Sequence, residues 1–440
     1  MALRTIQEKE LGMTEHPKSA VSIGSGIAGS VMLAVLLIIG ITSGWNAITL
    51  TFALLIGTAL TSALWDVLVD KAHLRPSTGM DWSNPHPYSD VWPIVGVKLV
   101  GLAATFGLIA FGYQILHTYQ NDGFIFYFWT LGVFGPIFLA LCPVYVLLTT
   151  RYMVEPRDKL WQFGRLMTGG RDDVDMEAIK DHLIGWGIKM FFLAFLFSII
   201  PAVFGPLVHF ATENAFSGIV PFFVTVIALM FLFDVCFGTF GYVMTFRPLD
   251  SHIRSANPYL SAWVFALICY PPFSLIKGDG PLNYMINGQS WKVWLADMPT
   301  LLIVWGVIMA VLTALYASAT VIFGIRFSNL TNRGIVTVGP YRYFKHPAYL
   351  SKNIYWWFAA MPFLTTADDP VVAIRNCVLL GLVNVVYFMR AKTEEKHLMA
   401  DPDYQAYSAW IAKHGLIPRA LRRLSGKRQT TATAPQRARG

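Results

Sequence analysis

Charge is scarce in this sequence. Lys, Arg, Asp and Glu make up 14% of its 440 residues, against about 25% in a soluble domain. A soluble enzyme and a disordered scaffold are both excluded by that shortage. Cysteine is scarce too. Cys142, Cys236, Cys269 and Cys377 stand far apart, each in an apolar run. That excludes a disulfide-stapled secreted domain, and with no CxxC pair and no metal-ligand spacing no metal is expected. The four read as small core residues. The weakly alternating segments of a membrane β-barrel are missing, and so is the internal repeat of an inverted-repeat transporter. The first twenty residues are polar and mixed in charge, so no cleavable signal is expected.

Apolar sequence is what the chain has in abundance. Hydrophobic residues make up 55% of it, and the mean hydropathy is +0.50. Several runs approach the roughly 20 residues a helix needs to cross a bilayer. Ten candidate segments are 21–45, 46–70, 91–116, 124–150, 190–213, 219–246, 258–276, 301–325, 349–364 and 371–390. The ninth is short and reads as half of a tight helical hairpin with the tenth. The expected fold is all-α: a polytopic membrane protein with about ten transmembrane helices. If the spans alternate sides from a cytoplasmic N-terminus, every Lys and Arg except Lys98, Lys277, Lys292 and Arg375 falls on the cytoplasmic side. That asymmetry places both termini in the cytoplasm. It also accounts for the net charge of +8 without a nucleic-acid partner.

Four regions follow. Residues 1–20 form a cytoplasmic N-terminal segment. Residues 21–300 form a membrane domain of about seven spans with no readable role. Residues 301–424 form a second membrane domain, and 425–440 a basic, disordered tail able to touch anionic lipid. Residues 174–189, after the acidic patch Arg171-Asp-Asp-Val-Asp-Met-Glu177, read as a surface helix. The loops 73–82 and 247–254 read as ordinary connectors, with a cytoplasmic pocket cover as the other reading. Within or near spans lie Asp66, Asp70, Lys98, His209 and Asp234. A charge at mid-bilayer costs about 2.5–3.5 kcal/mol on insertion scales, so such groups face protein or water. Lys98 is the expected partner of Asp66 or Asp234.

The informative stretch is Asn332-Arg-Gly-Ile-Val-Thr-Val-Gly-Pro-Tyr-Arg-Tyr-Phe-Lys-His-Pro-Ala-Tyr349. Gly334 and Gly339-Pro340 punctuate a loop and allow close approach of backbone to a ligand. Pro347 suits the first turn of a helix, with His346 before it. That helix start offers unpaired N–H groups to a polar ligand. Tyr341, Tyr343 and Tyr349 supply aromatic faces. Beyond the tenth span comes Arg390-Ala-Lys-Thr-Glu-Glu-Lys-His-Leu398, then Asp401-Pro-Asp-Tyr-Gln-Ala-Tyr407 and Ile417-Pro418. Arg390 and Glu394, four apart, share a helix face. They form either an ordinary i,i+4 pair or the charged wall of a pocket. Tyr355, Trp356 and Trp357 read as interfacial anchors, and His397 and His414 as surface residues.

Taken together and in this order, these pieces resemble the isoprenylcysteine carboxyl methyltransferase family over about 326–418, and more loosely the membrane phospholipid methyltransferases. The resemblance implies S-adenosylmethionine as cofactor, held by Gly334, Ile335, Val336, Tyr341, His346, Pro347, Ala348, Tyr349 and Glu394. It implies that Arg390 binds the acceptor's carboxylate and serves as the catalytic residue. Two positions depart from the family pattern. Lys345 replaces the usual Arg before His-Pro and so loses the planar fork. Arg333 stands where eukaryotic members tend to carry His. The expected activity is methylation of a lipid-like or membrane-embedded acceptor. The alternatives are an NADPH-dependent sterol or isoprenoid double-bond reductase, and a non-catalytic transporter or lipid-binding protein. The expected partners are the bilayer and a hydrophobic acceptor. The expected site is a bacterial inner membrane, or the endoplasmic reticulum in a eukaryote.

Overall fold

The computed structural model describes residues 15–425 apart from 214–215, 277, 279 and 367–368. For 206–213 it describes backbone only, so the His209 side chain and the tail 426–440 lie outside the described residues. In hydrocarbon every backbone polar group needs a partner within its own segment, and the apolar runs accordingly become helices. Helix α1 (Ile23–Thr42) pairs with α2 (Ala47–Leu68), whose cap residue Asn46 accepts from the Thr49 N–H at 2.9 Å. Helices α3 (Tyr88–Ile115) and α4 (Ile125–Tyr152) follow. The short α5 (Lys159–Met167) presses against α3, because Gly101 and Gly164 let the two backbones meet. Next come α6 (Met176–Glu213) and α7 (Ile219–Val243).

The remaining elements are β1 (Ser255–Ala256), α8 (Leu260–Leu267), α9 (Trp291–Trp294), α10 (Pro299–Val321), β2 (Thr331–Asn332), α11 (Pro347–Ala360), α12 (Pro370–Leu398), α13 (Pro402–His414) and α14 (Leu416–Leu424). The largest apolar core joins α1, α2, α6 and α7 around Leu33, Leu54, Ile200 and Phe237.

Eight helices among the described residues are long and apolar enough to cross a membrane. Two of the ten expected segments take another form. In 258–276 only the eight residues of α8 are helical, and the chain then turns at Pro271-Pro272. In 349–364 the helix α11 has 14 residues and ends at Ala360, followed by Met361 in the left-handed region at φ 44° just before Pro362. Its length is about 21 Å, short of the roughly 30 Å of hydrocarbon. Residues 176–189 form no separate surface helix. They are the first turns of α6, with Ile179, His182 and Ile188 buried.

Long-range hydrogen bonds order the bundle. At one end, β1 pairs antiparallel with β2, Ser255 opposite Asn332. There too the Ala20 N–H donates to the Ile335 carbonyl at 2.8 Å, and His16 meets the Trp410 ring edge-on. At the other end, Thr366 N–H donates to Asn287 O at 2.9 Å and Asn376 Nδ2 to Ile286 O at 2.8 Å. Residues 257–298 therefore climb the length of the bundle, without a long helix among the described residues. Their irregular backbone is satisfied locally, as where Leu275 and Leu282 N–H groups donate to Ile268 and Leu275 carbonyls. Such backbone persists at membrane depth only where protein or a cavity covers it.

The intramembrane charges pair otherwise than expected. Lys98 lies 3.2 Å from Asp158 on the loop before α5. Asp66 lies 2.8 Å from Arg326, and Asp234 accepts from the Tyr316 and Thr320 hydroxyls of α10. All three partners come from distant parts of the chain, which spacing within one helix does not reveal.

Candidate functional site

Helix α12 decides the site through its two faces. Val371, Ile374, Val378, Leu382, Val385 and Phe388 are exposed and form an apolar stripe. Asn376, Leu380, Val383, Tyr387 and Arg390 are buried on the opposite side at spacings of three and four. Continued one turn, that inner face carries Glu394. Facing it is α11, which starts at Pro347 directly after His346 as the sequence implies. Tyr349 and Lys352 project from α11 on the same side, three residues apart.

The two helices meet through polar contacts. Tyr349 Oη donates to Glu394 Oε2 at 3.1 Å. His346 Nε2 lies 2.9 Å from Glu395 Oε1. Lys345 and Lys392 flank the other oxygen of Glu395 at 3.2 and 3.3 Å. Glu395 is thus neutralised, whereas among the described residues Glu394 has no cation within 4.0 Å. The field is felt nearby. Burial, followed by the charges of Glu395 and Glu394, drives the Tyr404 phenol well above its usual range. Burial and the Glu394 charge do the same to Tyr341.

The loop before α11 is held from several sides. Gly334 has φ 101°, and a Cβ there would lie 2.6 Å from Ala20 Cβ, so only glycine fits. Ile335 and Val336 are buried. Tyr341 O accepts from Tyr407 Oη at 2.8 Å, which ties the loop to α13. Arg333 is a structural residue: its guanidinium donates to the carbonyls of Ser251, Gly241, Phe327, Met244 and Ile325 at 2.7–3.0 Å.

A cleft opens where these pieces converge. Gly334, Ile335, Val336, Tyr341, His346, Ala348, Tyr349 and Glu394 all line it. Pro347 is buried just behind it. Tyr343 does not contribute. It is 47% exposed, because the turn Gly339–Arg342 ends there and aims the ring outward. Arg390 sits one layer deeper and does not pair with Glu394. It donates to Tyr270 Oη at 3.3 Å and Asn329 Oδ1 at 3.5 Å. The rings of Tyr270, Tyr349 and Tyr387 surround it at 5.0–5.3 Å. Among the described residues no carboxylate lies within 4.0 Å of this buried guanidinium.

Beside the cleft lies a second, larger cavity of about 1090 Å³. Its walls are mostly apolar and come from α6 (Phe195, Ile199), α7 (Ala228, Phe231), the climbing segment (Ile276) and α11 (Trp356). Tyr270, Tyr316, Phe327, Asn329, Lys352 and Tyr387 line both cavities. Trp356 is therefore a wall residue rather than only an interfacial anchor. Lys352 Nζ at this boundary faces the Tyr316, Trp356 and Tyr387 rings at 5.2–5.4 Å.

Sequence reasoning missed Glu395, Lys352, Asn329 and Tyr270. The spacing Tyr349, Lys352, Trp356 along one face of α11 would have found Lys352. His397 is also not at the surface. It is buried, with Nε2 3.0 Å from Ser255 Oγ, because β1 packs on the last turn of α12. His414 is half-buried and stacks on Trp410.

Residues 300–400 match the model of the Isoprenylcysteine carboxyl methyltransferase (ICMT) family, which supports a membrane methyltransferase at the family level. The matched stretch runs from α10 to the end of α12 and holds most of the cleft. No curated protein and no solved structure matches the chain.

Proposed function

We propose that the region carrying the isoprenylcysteine carboxyl methyltransferase match is a methyltransferase that uses S-adenosylmethionine and modifies a hydrophobic, membrane-embedded acceptor at a carboxylate. One observation carries the reading: a cleft whose wall includes Lys345, His346, Lys352 and Glu394 shares six wall residues with a large apolar cavity. A polar cofactor and a lipid-like acceptor need such a pair of compartments with a common boundary.

The residues present suit the cofactor. Glu394, without a cation of its own, suits an amine or ribose hydroxyls. Tyr341 and Tyr349 offer faces for stacking, and Ile335 and Val336 an apolar floor. The cofactor supplies an activated methyl group on a sulfonium, so a carboxylate acceptor needs no general base. What remains for the protein is to position the reactants and exclude water. The acceptor's anionic end is held by Arg390 and Lys352, and its tail lies in the apolar cavity. Arg390 acts as the orienting cation, with its plane set by Tyr270 and Asn329.

In this reading 301–424 is the catalytic unit and 21–300 supplies the far wall through α6 and α7. The chain crosses the membrane ten times, twice through shorter passages at 257–298 and α11. Both termini face the cytoplasm, with the cleft, in a bacterial inner membrane. The shared end of β1, β2, residues 15–20 and α13 supports this arrangement, as does the bias of Lys and Arg.

The test is thermal stability of detergent-purified protein with S-adenosylhomocysteine or NADPH. A ligand that binds only the folded state raises stability by mass action. Saturable stabilisation by S-adenosylhomocysteine and none by NADPH is expected. The opposite result would replace the methyltransferase with a reductase. Full turnover by Arg390→Ala would remove the role given to that residue.

A further inference from the structure

Among the described residues, one cluster of charges takes no part in the cleft or the apolar cavity. A recess of about 110 Å³ lies at the end of the bundle where β1 pairs with β2. It is walled by Lys159 at the start of α5, by Asp181, His182 and Lys189 of α6, and by Arg247 and His252 of the loop after α7. None of these residues falls in the family-matched stretch.

The charges do not balance. Lys159 Nζ is 2.6 Å from Asp181 and 2.9 Å from the Ile253 carbonyl, so that pair neutralises itself. Asp158 is shared, 3.2 Å from Lys98 and 3.8 Å from Arg247. Among the described residues Lys189 has only the Thr245 hydroxyl and the face of Trp186, its Nζ 4.3 Å from the ring centroid. No carboxylate lies within 4.0 Å of it among the described residues. Around Asp158 and Asp181 the basic groups Lys98, Lys159, Lys189 and Arg247 thus outnumber the carboxylates four to two. In addition, His252 Nδ1 is buried without a hydrogen-bond partner among the described residues. The Nε2 of His182 is already taken by the Thr105 hydroxyl at 2.9 Å.

Buried cations without counterions are costly, and an orphaned ring nitrogen adds to that cost. A dianion in the recess offsets the excess of basic groups. We propose that this recess binds a phosphate monoester or inorganic phosphate, held by Lys189, Arg247 and His252. A phosphate group carries about −1.5 to −2 charge at pH 7 with three strong acceptor oxygens, which fits the excess and the free donors. The same chemistry occurs on a soluble phosphorylated metabolite and on a phosphatidic acid headgroup. Both reach a recess at this end of the bundle. The proposal does not depend on the methyltransferase reading.

The experiment is calorimetric titration of the detergent-purified full chain, with inorganic phosphate in one arm and short-chain phosphatidic acid in the other. Ionic strength is held constant with potassium chloride. Saturable binding is expected in at least one arm. Binding of both probes points to a soluble ligand, and binding of phosphatidic acid alone to a lipid. Lys189→Gln should lower the affinity by about ten- to hundredfold, the effect of losing one charge-assisted hydrogen bond. His252→Gln provides a second variant should Lys189→Gln not fold. Stabilisation by S-adenosylhomocysteine, measured on the same samples, should not change. Absence of saturable binding in both arms, or equal affinity in the wild type and the variants, would overturn the site.

Discussion

Glu394 and Glu395 are neighbours in sequence with different tasks. Glu395 is held by Lys345, His346 and Lys392, so its charge is spent on joining α11 to α12. Among the described residues Glu394 has only the Tyr349 hydroxyl. Glu394→Gln keeps an acceptor for that hydroxyl and removes the charge. The expected result is a loss of about ten- to hundredfold in S-adenosylhomocysteine affinity by calorimetry, as for other charge-assisted bonds, with little change in melting temperature. Glu395→Gln should do the reverse and lower stability first. A different residue sets a pH dependence. The pKa of His252 is pushed down to about 2 by burial first, then by Arg247, Arg254, Lys159 and Arg333. The unfolded chain binds a proton near pH 6.5, where the folded chain does not. This contribution to stability is therefore complete above about pH 6.5 and is lost as pH falls, by up to about 1.4 kcal/mol per unit. In phosphate-free buffer His252→Gln should flatten the acid side of the unfolding profile. An unchanged slope would show that His252 is protonated in the folded state. At this scale His346, Tyr349 and Glu394 were legible in the sequence, because each sits in a compact local pattern. Lys352 and Asn329 were not, because the cavity they line is built by helices far away in the chain.

At the scale of elements, the loop Gly324–His346 is pinned to its surroundings by two arginines. Arg326 joins Asp66 and the carbonyls of Leu249 and Asp250. Arg333 gathers five carbonyls from the end of α7 and its own loop. A planar guanidinium can serve so many acceptors at once, whereas an ammonium has three donors on a point charge. Arg333→Lys should leave at least two of those carbonyls without a donor, at about 1–3 kcal/mol each. The melting temperature in detergent should therefore drop by several degrees. Weaker S-adenosylhomocysteine binding should accompany the drop, because Gly334 and Ile335 follow directly. A variant as stable as the wild type would show that the cage is dispensable. The long apolar helices were legible here from length and composition alone. The short passage at 257–298 was not. The hydropathy of 258–276 is that of a span, but Pro271-Pro272 follows the end of the helix and the covering protein, which removes the penalty, is distant in sequence.

For the whole molecule, the question is why a chain with a family-matched region of residues 300–400 carries some 300 residues before it. The large cavity supplies an answer. One side belongs to α11 and α12 through Trp356 and Tyr387, and the other to α6 and α7 through Phe195, Ile199, Ala228 and Phe231. If the acceptor's tail occupies this space, bulk added on the α7 side should discriminate by tail length while sparing the cofactor cleft. Ala228 lines the cavity and is not among the cleft residues. An indole at that position would displace about four methylenes of a long tail, at roughly 0.8 kcal/mol each, or about two-hundredfold in affinity. Ala228→Trp should therefore raise KM for a long-chain carboxylate acceptor by up to about that factor. KM for a short-chain acceptor, kcat and S-adenosylhomocysteine affinity should stay near the wild type. Equal losses for long and short acceptors would mean that the tail lies elsewhere, and that α6 and α7 support the fold without shaping specificity. A selective loss would make the first 300 residues a specificity module, whose walls set which acceptors reach Arg390.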